Sequence, residues 1–101
     1  MKKEYHFYVY IATNHPRNTV LYTGVTNGLI KRSGQHAEKR FPGSFTARYN
    51  VNRIVYFETF GDIHAAIDRE KQIKAGSRKK KVDLIDGINP GWNDLVEEML
   101  K

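Results

Sequence analysis

The stretch HFYVYIATNHPRNTVLYTGVT, from His6 to Thr26, constrains this chain more than any other. Residues 5–13 alternate, with Tyr5, Phe7, Val9 and Ile11 on one side and His6, Tyr8 and Tyr10 on the other. Period-two alternation is the pattern of a β-strand. A second strand follows over residues 20–25, VLYTGV, and the polar, proline-bearing NHPRNT between them suits a hairpin connection. On the second strand Val20, Tyr22 and Gly24 share a face. Two short strands joined this closely must pair antiparallel, so the chain starts from a two-stranded ribbon that needs further elements to cover it.

Those elements can be read from caps and periodicity. A helix is expected from about Gly28 to Glu38, with Thr26 or Asn27 as its capping candidate. FPGSFTARYN reads as a loop holding at most a short helical turn, and NRIVYFETF as a third strand. Asp62 caps a helix from Ile63 to about Ala75, where Gly76 can stop it. SRKKKVDLID opens on a serine cap and forms a helix ending at Gly87, and INPGWNDLVEEML supplies a turn and a short terminal helix. The expected order is β-β-α-β-α-α with a short C-terminal helix. The expected fold is α+β, a mixed α/β sandwich: a small three-stranded, mainly antiparallel sheet flanked by helices.

At 101 residues, with 40% hydrophobic and 28% charged residues, the expectation is one folded domain over residues 1–101. The chain has no cysteine, which excludes a disulfide framework, thiolate metal sites and a cysteine nucleophile. The first fifteen residues lack the apolar segment of a signal peptide, and no stretch approaches the ~20 apolar residues of a membrane span. A cytoplasmic location without membrane contact is expected. The formal net charge of +6 favours polyanionic partners, nucleic acid first.

Three side chains are poorly explained by packing. Glu70 lies within the apolar stripe Ile63, Ala66, Ile67, Ile73 of the helix after Asp62. A carboxylate on such a seam is costly to desolvate unless it meets a cation, a metal or hydrogen-bond donors. The plainer reading is an i,i+4 pair with Lys74 at the rim, worth only a few tenths of a kcal/mol. In the first helix Arg32 and His36 are four residues apart on one face, and Arg32 has no acidic residue three or four positions away. A free guanidinium can fork onto phosphate oxygens, although a solvated arginine beside a surface histidine is the default for either residue alone. Two basic runs, KRSGQHAEKR and REKQIKAGSRKKK, offer Lys31, Arg78, Lys79 and Lys80 as phosphate contacts if they line one groove. The four histidines show no zinc-type spacing. One isolated carboxylate suits Mg²⁺ or Mn²⁺, which complete their coordination with water and substrate phosphate.

Taken in order, Tyr8-Val9-Tyr10, a connection, Tyr22-Thr23-Gly24, then Arg32, His36 and Glu70 resemble the GIY-YIG endonuclease domain. The likeness covers roughly residues 5–93 and extends to the tail of small stand-alone members, REKQIK…SRKKK…LI…NP. The sequence departs from the motif at Tyr8 (glycine), Val9 and Thr23 (isoleucines), which are mainly strand-packing positions.

The resemblance implies phosphodiester hydrolysis with one Mg²⁺ or Mn²⁺ held by Glu70. It makes Tyr22 the base for the attacking water, or its orienter, and Arg32 the stabiliser of charge on the phosphoryl oxygens. It makes Tyr10 and His36 positioning groups, and Asn89, or alternatively Asn93, a late phosphate contact. Gly24 is expected to let backbone approach the substrate. DNA is the expected substrate ahead of RNA, with weak or structure-directed specificity. Two rivals stay open: a non-catalytic nucleic-acid-binding module that keeps the fold, and a protein-interaction subunit of a DNA-processing complex.

Overall fold

The computed structural model describes residues 6–37 and 43–101. Tyr5 and Glu38, at the limits of two expected elements, and Lys39 and Arg40 of the first basic run lie outside them. Three strands, β1 (Phe7–Thr13), β2 (Leu21–Thr26) and β3 (Arg53–Phe60), form one sheet in the order β2-β1-β3. Both pairings of β1 are antiparallel, so the sheet is fully antiparallel. β1 is therefore the central strand. Its residues Val9 to Thr13 are buried on both faces, because helices cover the sheet from each side.

Helix α1 (Leu29–Ala37) carries the chain from β2 back towards β3, and the single turn α2 (Phe45–Arg48) precedes β3. Helices α3 (Ile63–Ala75), α4 (Arg78–Ile88) and α5 (Leu95–Met99) follow. On one face Val9, Ile11, Val55 and Tyr56 pack with Ala66 and Ile73 of α3 and Ile85 of α4. On the other, Tyr10, Ala12 and Ile54 pack with Leu29 of α1, Val51 and Val96 of α5. This two-faced burial matches the expected sandwich.

Capping follows the side chains read from the sequence. Asp62 Oδ2 accepts from Ala65 N at 3.0 Å, and Ser77 Oγ accepts from Lys80 N at 3.2 Å. Thr26, rather than Asn27, serves the start of α1: its hydroxyl oxygen accepts from Gly28 N at 3.1 Å. α2 gains a cap of its own from Ser44. Gly76 ends α3 in extended rather than left-handed backbone (φ −76°), and α4 runs through Gly87 to Ile88. Within the expected stripe of α3, Ala66 and Ile73 are buried but Ile67 is exposed. The stripe is thus narrower than its sequence, which leaves the neighbouring face of α3 free for other uses. No helix among the described residues is long and apolar enough to cross a membrane.

Asn89 has a structural task. It is buried, its Nδ2 donates to Val55 O at 2.9 Å and Asn93 O at 3.0 Å, and its Oδ1 accepts from Asn93 N at 3.0 Å. It thereby ties the end of α4 and the following turn to β3. Its amide is spent inside the protein, which leaves Asn89 no group to offer a phosphate. Removing it orphans a buried carbonyl, a loss of about 1–3 kcal/mol. Asn89→Ala is expected to lower the unfolding free energy by about that amount, read from Trp92 fluorescence in urea; Asn93→Ala should cost less, since its side chain holds none of these bonds.

Candidate active site

The register of β1 and β2 sets Tyr10 directly opposite Gly24. The phenol ring lies over the glycine: a Cβ there would stand 2.6 Å from the Tyr10 hydroxyl oxygen and 2.7 Å from its ring carbon. Gly24 therefore makes room for the Tyr10 ring, where the sequence suggested that it lets backbone approach the substrate. Tyr10 is almost wholly buried, and its hydroxyl lies 3.0 Å from His36 Nε2. α1 brings His36 to this spot, since Leu29 anchors the helix in the Tyr10 face of the core.

The second phenol is placed differently. The ring of Tyr22 lies 6.2 Å from that of Tyr10 and meets His36 edge-on at 5.8 Å. It is only partly buried, and among the described residues no hydrogen bond holds its hydroxyl. The structure thus separates a buried, tethered Tyr10 from a partly buried Tyr22 whose hydroxyl no described residue holds.

Charge binds the rest of the site together. Burial raises the Tyr10 phenol well above its ordinary ionisation range; Tyr22 and Glu70 push the same way, and Arg32 opposes them. Burial, aided by the Arg32 guanidinium, lowers the His36 imidazole to about 4. Both partners of the Tyr10–His36 bond are accordingly neutral near pH 7. Arg32 is half-buried, and its Nε is buried without a hydrogen-bond partner. It lines a small cavity of about 280 Å³ with Phe7, Val25, Thr26, Asn27 and Ile63. A buried donor left unpaired costs about 1–3 kcal/mol, and an oxyanion is the natural acceptor for a guanidinium.

Glu70 stands on α3, which packs against β1 and β2. Its side chain is only 20% exposed, and Oε1 lies 3.0 Å from Nζ of the half-exposed Lys74. The plain i,i+4 pair does form, yet the carboxylate is sheltered and its charge reaches Tyr10. No group of three or more His, Cys, Asp or Glu is assembled among the described residues. An all-protein metal cage therefore does not fit. A hard divalent ion that keeps most of its waters and takes further oxygens from a phosphate fits a single sheltered carboxylate, with Lys74 displaced from it.

The family model of the GIY-YIG catalytic domain matches residues 6–83. The chain belongs to the GIY-YIG family. It is 32% identical over 78 residues to a UPF0213 protein of Syntrophus aciditrophicus, a match spanning 77% of this chain and 87% of the relative. It is 37% identical over 78 residues to one of Clostridium perfringens, spanning 77% and 81%. The NMR structure of the UPF0213 protein BH0048 from Bacillus halodurans superposes with a TM-score of 0.54 at 26% identity, covering 89% of this chain and 93% of that one.

The matched stretch of this GIY-YIG domain contains Tyr10, Tyr22, Arg32, His36 and Glu70, and ends before Asn89 and Asn93. The other expected phosphate contacts scatter. Arg78 donates to Thr19 O at 3.0 Å and Asn18 O at 2.9 Å, clamping the β1–β2 loop, and Lys79 pairs with Asp83 at 2.9 Å. Arg78 is committed within the protein, whereas Lys79 stays exposed in a weak i,i+4 pair. Lys80 is exposed beside a groove between α3 and α4, and Lys31 is exposed on α1. α4 packs on β3, the edge of the sheet opposite β2, so its cations do not converge on the tyrosines. Two residues that the sequence did not flag do join the site. Phe45 stacks on Tyr22 at 6.0 Å, and Tyr49 follows at 4.7 Å.

The neutral His36 carries a pH signature. Above its ordinary value of 6.5 neither folded nor unfolded chain protonates it; between 6.5 and about 4 the unfolded chain binds a proton that the folded protein refuses. Stability must therefore fall as pH falls through that window. Wild type is expected to lose on the order of 1–3 kcal/mol between pH 7 and 4 relative to His36→Gln, measured by urea denaturation of both proteins.

Proposed function

We propose that this chain is a divalent-ion-dependent endonuclease that hydrolyses phosphodiester bonds of DNA. Membership of a nuclease-type domain family supports the class of reaction. The observation that carries the reading is the buried, partnerless Nε of Arg32, together with the charges of Arg32 and the sheltered Glu70 both acting on Tyr10. A buried guanidinium donor without an acceptor suits an anion, and a sheltered carboxylate paired with a half-exposed lysine suits a cation.

Each residue then has a task. Arg32 forks onto the non-bridging phosphate oxygens and stabilises the charge that grows on them. Tyr22, whose hydroxyl no described residue holds, orients the attacking water and, as its phenolate, takes the proton that the water gives up. Tyr10 is held by His36 and packed on Gly24, so it cannot swing; it fixes the position of the Tyr22 ring and presents a rigid wall to the phosphate. His36 stays neutral and serves to hold the Tyr10 hydroxyl in place. Glu70 would hold Mg²⁺ or Mn²⁺, which when bound supplies polarisation of a phosphate oxygen and stabilisation of the leaving 3′ oxygen. Asn93, exposed in the turn after α4, remains the late asparagine available to phosphate. The surplus of cations adds a sequence-blind, salt-dependent attraction for the backbone.

Plasmid nicking under Mg²⁺ and Mn²⁺ titration tests the proposal. Wild type is expected to cleave only with the ion, and Glu70→Ala, Tyr22→Phe and Arg32→Ala should each lose about 10²-fold or more of the rate while keeping the wild-type circular dichroism spectrum. Binding without cleavage, unaltered in all three variants, would identify a non-catalytic module instead.

A further inference from the structure

The aromatic chain does not stop at the catalytic tyrosines. From the buried Tyr10 it passes to Tyr22 at 6.2 Å, to Phe45 at 6.0 Å with planes only 29° apart, and to Tyr49 at 4.7 Å. Phe45 is 50% exposed and Tyr49 43% exposed, so this ladder emerges into solvent beside the candidate active site. The Arg48 guanidinium sits 5.8 Å over the Tyr49 ring. Beyond Tyr49 a groove of about 440 Å³ continues, with Arg17 and Arg48 among its walls.

Core packing does not require this arrangement. Ser44 caps α2, and Phe45, the first residue of that turn, lies on Tyr22 with half of its surface still in water. Exposed aromatic faces next to a guanidinium, continuous with a site for phosphate, have the chemistry that holds single-stranded nucleic acid: bases stack on the rings and the cations track the backbone. A base inside a duplex has both faces covered by its neighbours and cannot use such a surface.

We propose that Phe45 and Tyr49, with Arg48 beside them, form a platform on which the substrate strand stacks one or two unpaired bases next to the phosphate attacked at Tyr22, so that single-stranded or frayed DNA is preferred to continuous duplex. The proposal rests on the nuclease reading for the position of the scissile phosphate, but the stacking itself does not depend on catalysis. Arg17 and Arg48 contact the phosphates that follow along the groove.

Binding is measured on the full chain in EDTA, by fluorescence anisotropy of a labelled 12-nucleotide single strand and of the corresponding duplex. Stacking on an aromatic side chain is worth about 1–3 kcal/mol per base, so Phe45→Ala/Tyr49→Ala is expected to weaken single-strand binding by about tenfold or more and duplex binding by less than about twofold. Phe45→Tyr and Tyr49→Phe, which keep the rings, should bind single strand as wild type does. A 2-aminopurine in the single strand should be quenched by wild type and regain its emission with the double variant. If the double variant fails to fold, Phe45→Leu, which keeps bulk and loses the π face, takes its place with the same expectation. Equal loss for single strand and duplex, or no loss for either, overturns the platform. Cleavage with Mg²⁺ separates the two readings. Ring-dependent single-strand binding by a protein that cuts nothing sustains the platform and removes the nuclease. Cleavage with ring-independent binding sustains the nuclease and removes the platform.

Discussion

The contact of Tyr10 with the bare backbone of Gly24 is the constraint on which the site depends. Antiparallel pairing sets the two residues opposite each other, and the missing Cβ lets the phenol lie flat across β2. Any side chain at position 24 would push the ring away by occupying the volume of its hydroxyl end. With the ring in place, its oxygen meets His36 on α1, and α1 in turn brings Arg32. One glycine therefore couples strand register to helix position and so to the placement of a guanidinium. The buried environment it creates also keeps Tyr10 and His36 neutral, which makes them a rigid frame rather than a titrating pair.

Two half-buried carboxylates show how differently this protein uses the same group. Glu58 on β3 receives the Arg69 guanidinium through Nε at 3.0 Å and a terminal nitrogen at 2.9 Å, and also the hydroxyl of Tyr56. Burial works against its charge, but the hydrogen bonds of Arg69 and Tyr56 outweigh it and hold the carboxyl below the ordinary range. Its acceptor sites are filled, and it fastens α3 to β3. Glu70, its side chain about as sheltered as that of Glu58, has among the described residues only the ammonium of Lys74, itself 52% exposed. Such a pair contributes a few tenths of a kcal/mol and gives way readily to a divalent cation. The structural carboxylate is saturated, while the proposed functional one is held in reserve.

Local rules carried the reading of the sequence a long way. The hairpin, the Asp62 and Ser77 caps, the third strand and the order of helices all follow from period, cap and breaker signals within a few residues. Glu70, Arg32 and His36 stood out by their placement on helix faces, whereas Tyr10 and Tyr22 joined them as a set only through the resemblance to the GIY-YIG domain. What escaped depends on partners distant in sequence. Arg78 looks free until the β1–β2 loop, fifty-nine residues away, offers it carbonyl oxygens. Asn89 looks like a ligand until the carbonyl of Val55 is brought against it. Gly24 looks like a space for substrate until the register supplies Tyr10. Phe45 and Tyr49 sit in a segment with no periodicity that reads as a loop with at most a helical turn, and the Ser44 cap that orders it is seen only in the structure.

Glu70 is the proposed point of entry for a divalent cation beside the tyrosines. Paramagnetic broadening of backbone amide NMR signals by substoichiometric Mn²⁺ reports that location without any need for turnover. Broadening centred on Glu70 and spreading to Thr23, Gly24 and Arg32, abolished by Glu70→Gln, is the predicted result. Broadening centred on Glu97 and Glu98, or signals around Glu70 that stay sharp while other acidic surfaces respond, would contradict it.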